Sequence, residues 1–215
     1  MLIGITGKIG SGKTTTANYL VKSQNFTEYI MAEPIKQIAQ VFGFTHTQLY
    51  GSQNQKMQPH PYWGISGRQF LQKVGTEMFR DLLPQVIPEM KVTDSVWCDI
   101  FRLKYDSSKN TVVSDIRFLN EAKAVKDSGG IIIRIIRDSN SKKSSNNFHI
   151  SEIEQDDIPT DFTIVNNGDV NTLYSYIDSI LETLEQRSHK CVSDKQLSDK
   201  QLSDNQLSDN QLLDS

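Results

Sequence analysis

The chain has 215 residues, 37% of them hydrophobic, and its 23 Lys and Arg against 26 Asp and Glu give a formal net charge of -3. That length can bury the core of one globular domain, and the weakly acidic balance argues against a dedicated nucleic-acid partner, which would need a basic surface. Its two cysteines, Cys98 and Cys191, show neither metal-ligand spacing nor a disulfide-scaffold pattern, which suits a reducing compartment. No run approaches the roughly 18 apolar residues of a membrane span, and the N-terminus does not read as a leader peptide.

The first element is a buried strand, Leu2-Ile3-Gly4-Ile5-Thr6. It runs into Gly7-Lys8-Ile9-Gly10-Ser11-Gly12-Lys13-Thr14, which meets the G-x-x-x-x-G-K-[ST] pattern at every required position and is followed by a helix to about Lys22. In that setting backbone N–H groups converge on phosphate oxygens and the helix start adds a favourable dipole. Lys13 is placed to reach the β- and γ-phosphates and Thr14 to offer its hydroxyl to Mg²⁺. The loop implies a nucleoside triphosphate with Mg²⁺ and leaves the phosphoryl acceptor blank.

A short strand is expected at 28–31, then a helix from Glu33 to about Phe42 with Pro34 near its first position. Residues 43–65 hold Gly43, Gly51, Pro59, Pro61 and Gly64 and read as a long loop, either a substrate cover or a surface excursion. Phe70, Leu71, Val74, Met78 and Leu82 give a helical stripe over 66–83, with Pro84 as its stop. A helix over 92–104, a strand at 111–115, a helix over 118–128 and a nearly continuous apolar strand at 131–136 follow. Residues 138–148 are polar and serine-rich, hence a loop; 162–165 is a last strand, and Asp169 or Asn171 can cap a final helix carrying Leu173, Ile177, Ile180 and Leu184. Alternating strands and helices predict an α/β fold, a three-layer P-loop arrangement with a mostly parallel central sheet. From Ser193 the chain repeats SD[KN]QL with a period of five, which keeps leucines on no single face of a helix or strand. The expected organisation is therefore a domain over 1–187 and a disordered low-complexity tail over 188–215.

Asp115 falls at the C-terminal end of an apolar strand, where open α/β sheets face their ligands. It best suits a place near Mg²⁺ or a base beside the acceptor; the ordinary alternative is an N-cap for the next helix. Arg117 fits an acceptor phosphate or an i,i+4 ion pair with Glu121. Arg68 stands near a helix start with the planar fork that suits phosphate. Gln72, Thr76, Glu77 and Arg80 follow on a polar face, substrate-facing or simply wet, the wet reading being the ordinary one. Arg134 and Arg137 flank the end of the 131–136 strand and Lys142 and Lys143 follow. Such cations meet charge on a transferring phosphoryl group, with Arg137 the better placed and Arg134 more structural. His149 could be a catalytic group, but a phosphate acceptor is already nucleophilic and requires no histidine base; Ser151 and Glu152 beside it read equally as loop or helix-start residues. Trp97 can stack on a base or pack in the core.

Together GKIGSGKTTTA at 7–17, AEPIK at 32–36, GRQFLQKVGTEMFR at 67–80, VW at 96–97, VVSDIRFLNEA at 112–122, GGIIIRIIR at 129–137 and HISE at 149–152 make a pattern beyond the loop. The chain resembles the deoxynucleoside monophosphate kinases of tailed phages and large DNA viruses over roughly 1–185. The resemblance implies a nucleoside monophosphate kinase-like fold, and ATP with Mg²⁺ as donor to a deoxynucleoside 5′-monophosphate in deoxynucleotide synthesis. It implies Lys13 and Thr14 at the ATP phosphates and Mg²⁺; Lys36, Arg68, Gln72, Asp115 and Arg117 at the acceptor; and Arg137 as a lid-side arginine. Lys13, Asp115 and Arg137 are then the catalytic set. Thr14 departs from relatives with aspartate after the loop lysine and restores the common Mg²⁺-binding form.

Small-molecule nucleotides are the expected partners, with no membrane, a homodimer allowed, and the cytoplasm of a host or infected cell as the setting. Two alternatives stay open on the residues. One is a P-loop kinase for another phosphorylated metabolite. The other is a nucleotide-dependent switch or binding module.

Overall fold

A computed structural model describes residues 1–137 and 155–187, which fall into two units, Met1–Asn167 and Gly168–Ser215. The first unit is built on five parallel strands: β1 (Leu2–Thr6), β2 (Thr27–Tyr29), β3 (Thr111–Val113), β4 (Ile131–Ile136) and β5 (Phe162–Val165), in the order β2-β3-β1-β4-β5. β1 is central: Ile3 pairs with Val112 of β3 on one side and Ile131 of β4 on the other. Strands buried on both faces read as apolar runs, and all five β1 residues are buried.

The crossovers fix which helix covers which face. β1 passes through α1 (Lys13–Ser23) to β2 in one direction along the sheet, and β3 passes through α8 (Leu119–Asp127) to β4 in the other. With right-handed connections the two helices take opposite faces. On the α8 face, Leu2, Val113, Ile116, Val125 and Ile132 pack with Phe101 of α7 (Val96–Lys104). Fully burying an aliphatic side chain of this kind stabilises by about 1.5–3 kcal/mol. Gly4 lets this layer close, because a Cβ there would lie 2.3 Å from Cδ1 of Ile116.

Between β2 and β3 the chain inserts a helical layer: α2 (Glu33–Val41), α3 (His46–Tyr50), α4 (Gln53–Lys56), α5 (Gly67–Gln72), a π-helical stretch (Lys73–Leu82), α6 (Leu83–Val86), a 3₁₀ turn (Pro88–Met90) and α7. A second core, Ile35, Ala39, Phe44, Leu49 and Phe70, holds its first half together.

The segment 43–65 is more ordered than its glycines and prolines suggest. Thr45 and Ser52 each open a helical turn with a capping box, their side-chain oxygens accepting from the N–H of Gln48 (3.3 Å) and Gln55 (3.4 Å) while those glutamines reach back. Past α4, His60 gathers the chain. Its Nδ1 accepts from the N–H groups of Tyr62 and Trp63, and a bridge pairs Pro59 with Ser66. Ser66 and Gln69 make a third capping box that starts α5.

Pro84 does not stop the long helix. The winding changes from π to α there, and proline sits in the first turn of α6, where its missing N–H is harmless. The expected helix over 92–104 begins only at Val96, because Ser95 takes the cap and accepts the N–H of Cys98 at 3.3 Å. The second unit is described over a helix at 170–187, capped by Asp169, whose Oδ1 accepts the N–H of Thr172 at 2.8 Å. The repeat tail and the loop at 138–148 lie outside the described residues.

Candidate active site

The loop between β1 and α1 stands at the C-terminal edge of the sheet. Gly7 takes φ +143° and packs so tightly on β4 that a Cβ would lie 2.2 Å from the Ile135 carbonyl oxygen. Only glycine meets both demands. Gly10 and Gly12 also have positive φ, which turns successive N–H groups inward as an anion nest. Asn166 ties the loop to the end of β5, its Nδ2 donating to the Ser11 carbonyl at 2.7 Å. Lys8, exposed on the rim, pairs with Asp156 at 3.0 Å.

Lys13 is folded back on this loop. Its Nζ donates to the carbonyls of Gly7 (2.5 Å) and Lys8 (3.2 Å) and lies 3.6 Å from Asp115 Oδ1. Burial lowers its pKa below the usual lysine range, with Asp115 partly offsetting this. Thr14 is exposed at the start of α1.

Asp115 sits just beyond β3 and touches both halves of the site. Arg117 grips its Oδ2 through Nε (2.8 Å) and Nη2 (2.5 Å), while Oδ1 faces Lys13 and is buried with no hydrogen-bond partner. Burial alone would raise this carboxyl, but Arg117 and Lys13 together outweigh it and hold it below the usual aspartate range. It is therefore a charged anchor and a poor proton acceptor at neutral pH. The other readings of the pair fail: Asp115 does not cap α8, and Arg117 does not bridge to Glu121 through its guanidinium. Glu121 Oε2 instead accepts the backbone N–H groups of Arg117 (2.8 Å) and Phe118 (3.2 Å). Burial pushes the Glu121 carboxyl up to about 7.

Beside this edge opens a cavity of about 250 Å³, near the lower end of the range of roughly 300–1,000 Å³ typical of small-molecule sites. Lys36, Arg68, Gln72, Asp115 and Arg117 all line it, as does Ile9 of the loop. Lys36 is half-buried between Glu33 (3.9 Å) and the Tyr50 ring (4.4 Å to the centroid), and burial lowers its pKa. Arg68 donates to Gln53 of α4 at 3.2 Å. Leu49, Gln53 and Lys56, all from the segment 43–65, form part of the wall. Trp97 packs on Phe79 and lines the cavity, donating Nε1–H to the Gly75 carbonyl at 2.8 Å.

The polar face of the long helix is the cavity wall, not a wet surface. Arg68, Gln72, Thr76 and Arg80 all line it. In a uniform α-helix, at about 100° per residue, twelve residues would carry Arg80 some 120° round from Arg68. In the π-helical part each residue turns only about 80–85°, so the two steps of four from Gln72 to Arg80 drift backward and offset the forward drift of the α step before them. Glu77 stays on the outer surface, 3.8 Å from Lys73. Phe118 and Asn120 were not singled out from the sequence, Glu121 entered only as an ion-pair partner, and Arg80 only on a face read as ordinarily wet. Arg80 packs over the Phe118 ring at 4.4 Å. Its signal in the sequence was the period of four; what hid it was the change of winding.

Arg134 is structural, donating to the carbonyls of Gln155, Asp156 and Ile158. Arg137 lies exposed one residue beyond β4 and is not part of the cavity wall. Lys142, Lys143, His149, Ser151 and Glu152 lie outside the described residues.

A glycine loop with an inward lysine, between the first strand and helix of a parallel sheet, defines a P-loop phosphate-binding protein. Residues 43–177 match the family model of deoxynucleotide monophosphate kinase. A protein of Acanthamoeba polyphaga mimivirus that carries a provisional name as a deoxynucleotide monophosphate kinase is 37% identical over 195 residues, spanning 86% of this chain and 98% of its own. The chain belongs to the deoxynucleotide monophosphate kinase family. Its activity class is ATP-dependent phosphorylation of deoxynucleoside monophosphates. Among solved structures, an APS kinase of Mycobacterium tuberculosis aligns at a TM-score of 0.39 and 12% identity, over 84% of this chain and 96% of its own. A shikimate kinase of Aquifex aeolicus aligns at 0.41 and 15%, over 87% and 98%. No helix among the described residues is long and apolar enough to cross a membrane.

Proposed function

We propose that the loop at 7–14 holds the ATP phosphates and that the cavity beside it takes the deoxynucleoside monophosphate, with Asp115 as the shared anchor between them. The observation that carries this reading is the chain of contacts from Lys13 through Asp115 to Arg117, which joins the loop to the cavity wall. Lys13 leaves the loop carbonyls for the phosphates of ATP. Its charge is kept by Asp115 in a site where burial works against it. Arg117, Arg68 and Lys36 supply cationic groups to the acceptor phosphate, and Gln72 adds a neutral donor and acceptor.

The residues at the loop fit Mg²⁺. Mg²⁺ binds one or two protein oxygens together with phosphate and water; Thr14 stands exposed at the helix start, and Asp115, just past the neighbouring strand β3, has a buried Oδ1 with no hydrogen-bond partner. When bound, the ion neutralises charge on the β- and γ-phosphates. The Thr14 hydroxyl would hold it directly, and Asp115 would orient its surroundings. Arg137, at the end of β4, is assigned to the charge that develops on the transferring group. No protein base is needed, because the acceptor phosphate is anionic at neutral pH.

A coupled ADP-release assay with ATP, Mg²⁺ and each deoxynucleoside monophosphate tests this reading. Stimulation by at least one of them is expected. An enzyme that turns over none of them, yet responds to a non-nucleotide phosphate, would overturn it.

A further inference from the structure

Phe118 occupies the N-cap position of α8, and a phenylalanine side chain has no oxygen to offer the free N–H groups of a helix start. Glu121, three residues on, supplies the oxygen instead. Its Oε2 accepts both the Phe118 and the Arg117 N–H, and only 8% of the residue is exposed. Burying a carboxylate is an expensive way to cap a helix when a serine or aspartate at the cap would serve. The arrangement makes sense if the turn matters more than the helix. Each side chain of that turn is held separately: the Arg117 guanidinium by Asp115 and the Phe118 ring by Arg80. Arg117, Phe118 and Glu121 all line the cavity.

We propose that Glu121 is a positioning residue for the acceptor nucleotide: its carboxylate fixes the backbone of the Arg117–Phe118 turn, so that guanidinium and ring are presented to the cavity in one arrangement. Glu121 acts through Arg117 and Phe118 and takes no part in the transfer. The inference rests on the cavity being the acceptor site.

The test measures KM for the monophosphate, KM for ATP and kcat in four full-length variants. Glu121→Ala removes the acceptor oxygen, and the monophosphate KM is expected to rise about tenfold with the ATP KM within twofold. Glu121→Gln keeps an amide oxygen that can accept both N–H groups, and is expected to return to within about threefold of the unsubstituted enzyme. Glu121→Asp retracts the oxygen by one methylene, and its monophosphate KM should rise several-fold even if the alanine variant does not fold. An unchanged monophosphate KM in the alanine or aspartate variant overturns the proposal, as does a parallel rise of both KM values, which marks a merely structural role. Arg117→Met separates the two levels. If it leaves the monophosphate KM unchanged, the acceptor-site reading itself fails. If it raises that KM while the Glu121 variants do not, only the positioning role fails.

Discussion

The donor loop and the acceptor cavity differ in how they are written into the chain. The loop is eight consecutive residues whose geometry follows from local rules: three glycines at positive φ, a helix start and the lysine that opens that helix. The cavity draws its wall from α2, the two capped turns of 43–65, the α5-to-π helix, α7 and the turn before α8. A local site is specified by types and spacing alone. An assembled site depends on crossovers, caps and winding, so its residues reveal themselves only as a set.

Asp115 is where the two meet, and the sharpest tests act on either side of it. Lys13→Ala should lower kcat by about 10²–10³-fold, the usual cost of removing one electrostatic contact to a transition state. Circular dichroism should stay native-like, and full turnover in a folded variant would break the assignment of the loop. Asp115→Asn removes the charge shared by Lys13 and Arg117. It should lower kcat/KM for both ATP and the monophosphate, by about tenfold or more each. An effect confined to one substrate would show that Asp115 does not join the two halves of the site.

Glu121 gives a pH prediction with a definite sign. Its folded-state pKa, about 7, lies above the 4.5 of a freely solvated glutamate. The folded protein therefore binds the extra proton between these values, and the stability contributed is present below pH 4.5 and lost as pH rises through 7. The loss is of order 3 kcal/mol, at about 1.4 kcal/mol per unit. Glu121→Gln should remove this component, so denaturant midpoints of the two proteins should diverge across that window. Parallel curves would show that the carboxyl is not buried as described.

Smaller effects sharpen the cavity's outline. Arg80→Met should raise the monophosphate KM by about five- to tenfold, in the range of one cation–π contact, and leave the ATP KM unchanged. No change would return Arg80 to the wet face that its spacing first suggested. Removing residues 193–215 should leave kcat within twofold, since every residue assigned to the site precedes them; a large loss in a folded truncation would give the tail a role.

Several elements could be read directly. β1, β4 and β5 announce themselves as apolar runs, and strand–helix alternation announces the parallel sheet. Pro84 misleads because a proline is a stop only inside regular α winding, and the switch out of π winding gives it a first turn to occupy. The segment 43–65 misleads in the other direction: its glycines and prolines suggest a loop, while Thr45 and Ser52 with Gln48 and Gln55 encode two helix starts at capping-box spacing. Arg117 and Glu121 stand at ion-pair spacing, yet the guanidinium turns to Asp115 because a buried carboxylate is best satisfied by the N–H groups of the helix start nearest it.

By itself the sequence determined the phosphate loop, the strands and the residue types available to a second substrate, since these follow from contacts between chain neighbours. Tertiary structure decided that Asp115 faces both Lys13 and Arg117, that the row from Arg68 to Arg80 lines a cavity, and that Glu121 holds a turn. The first two depend on elements far apart in the chain, Lys13 meeting Asp115 and the helix meeting the other walls of the cavity, and spacing carries no record of which elements meet; the third is a contact across only three or four residues, where spacing allowed two partners for Arg117 and packing chose Asp115.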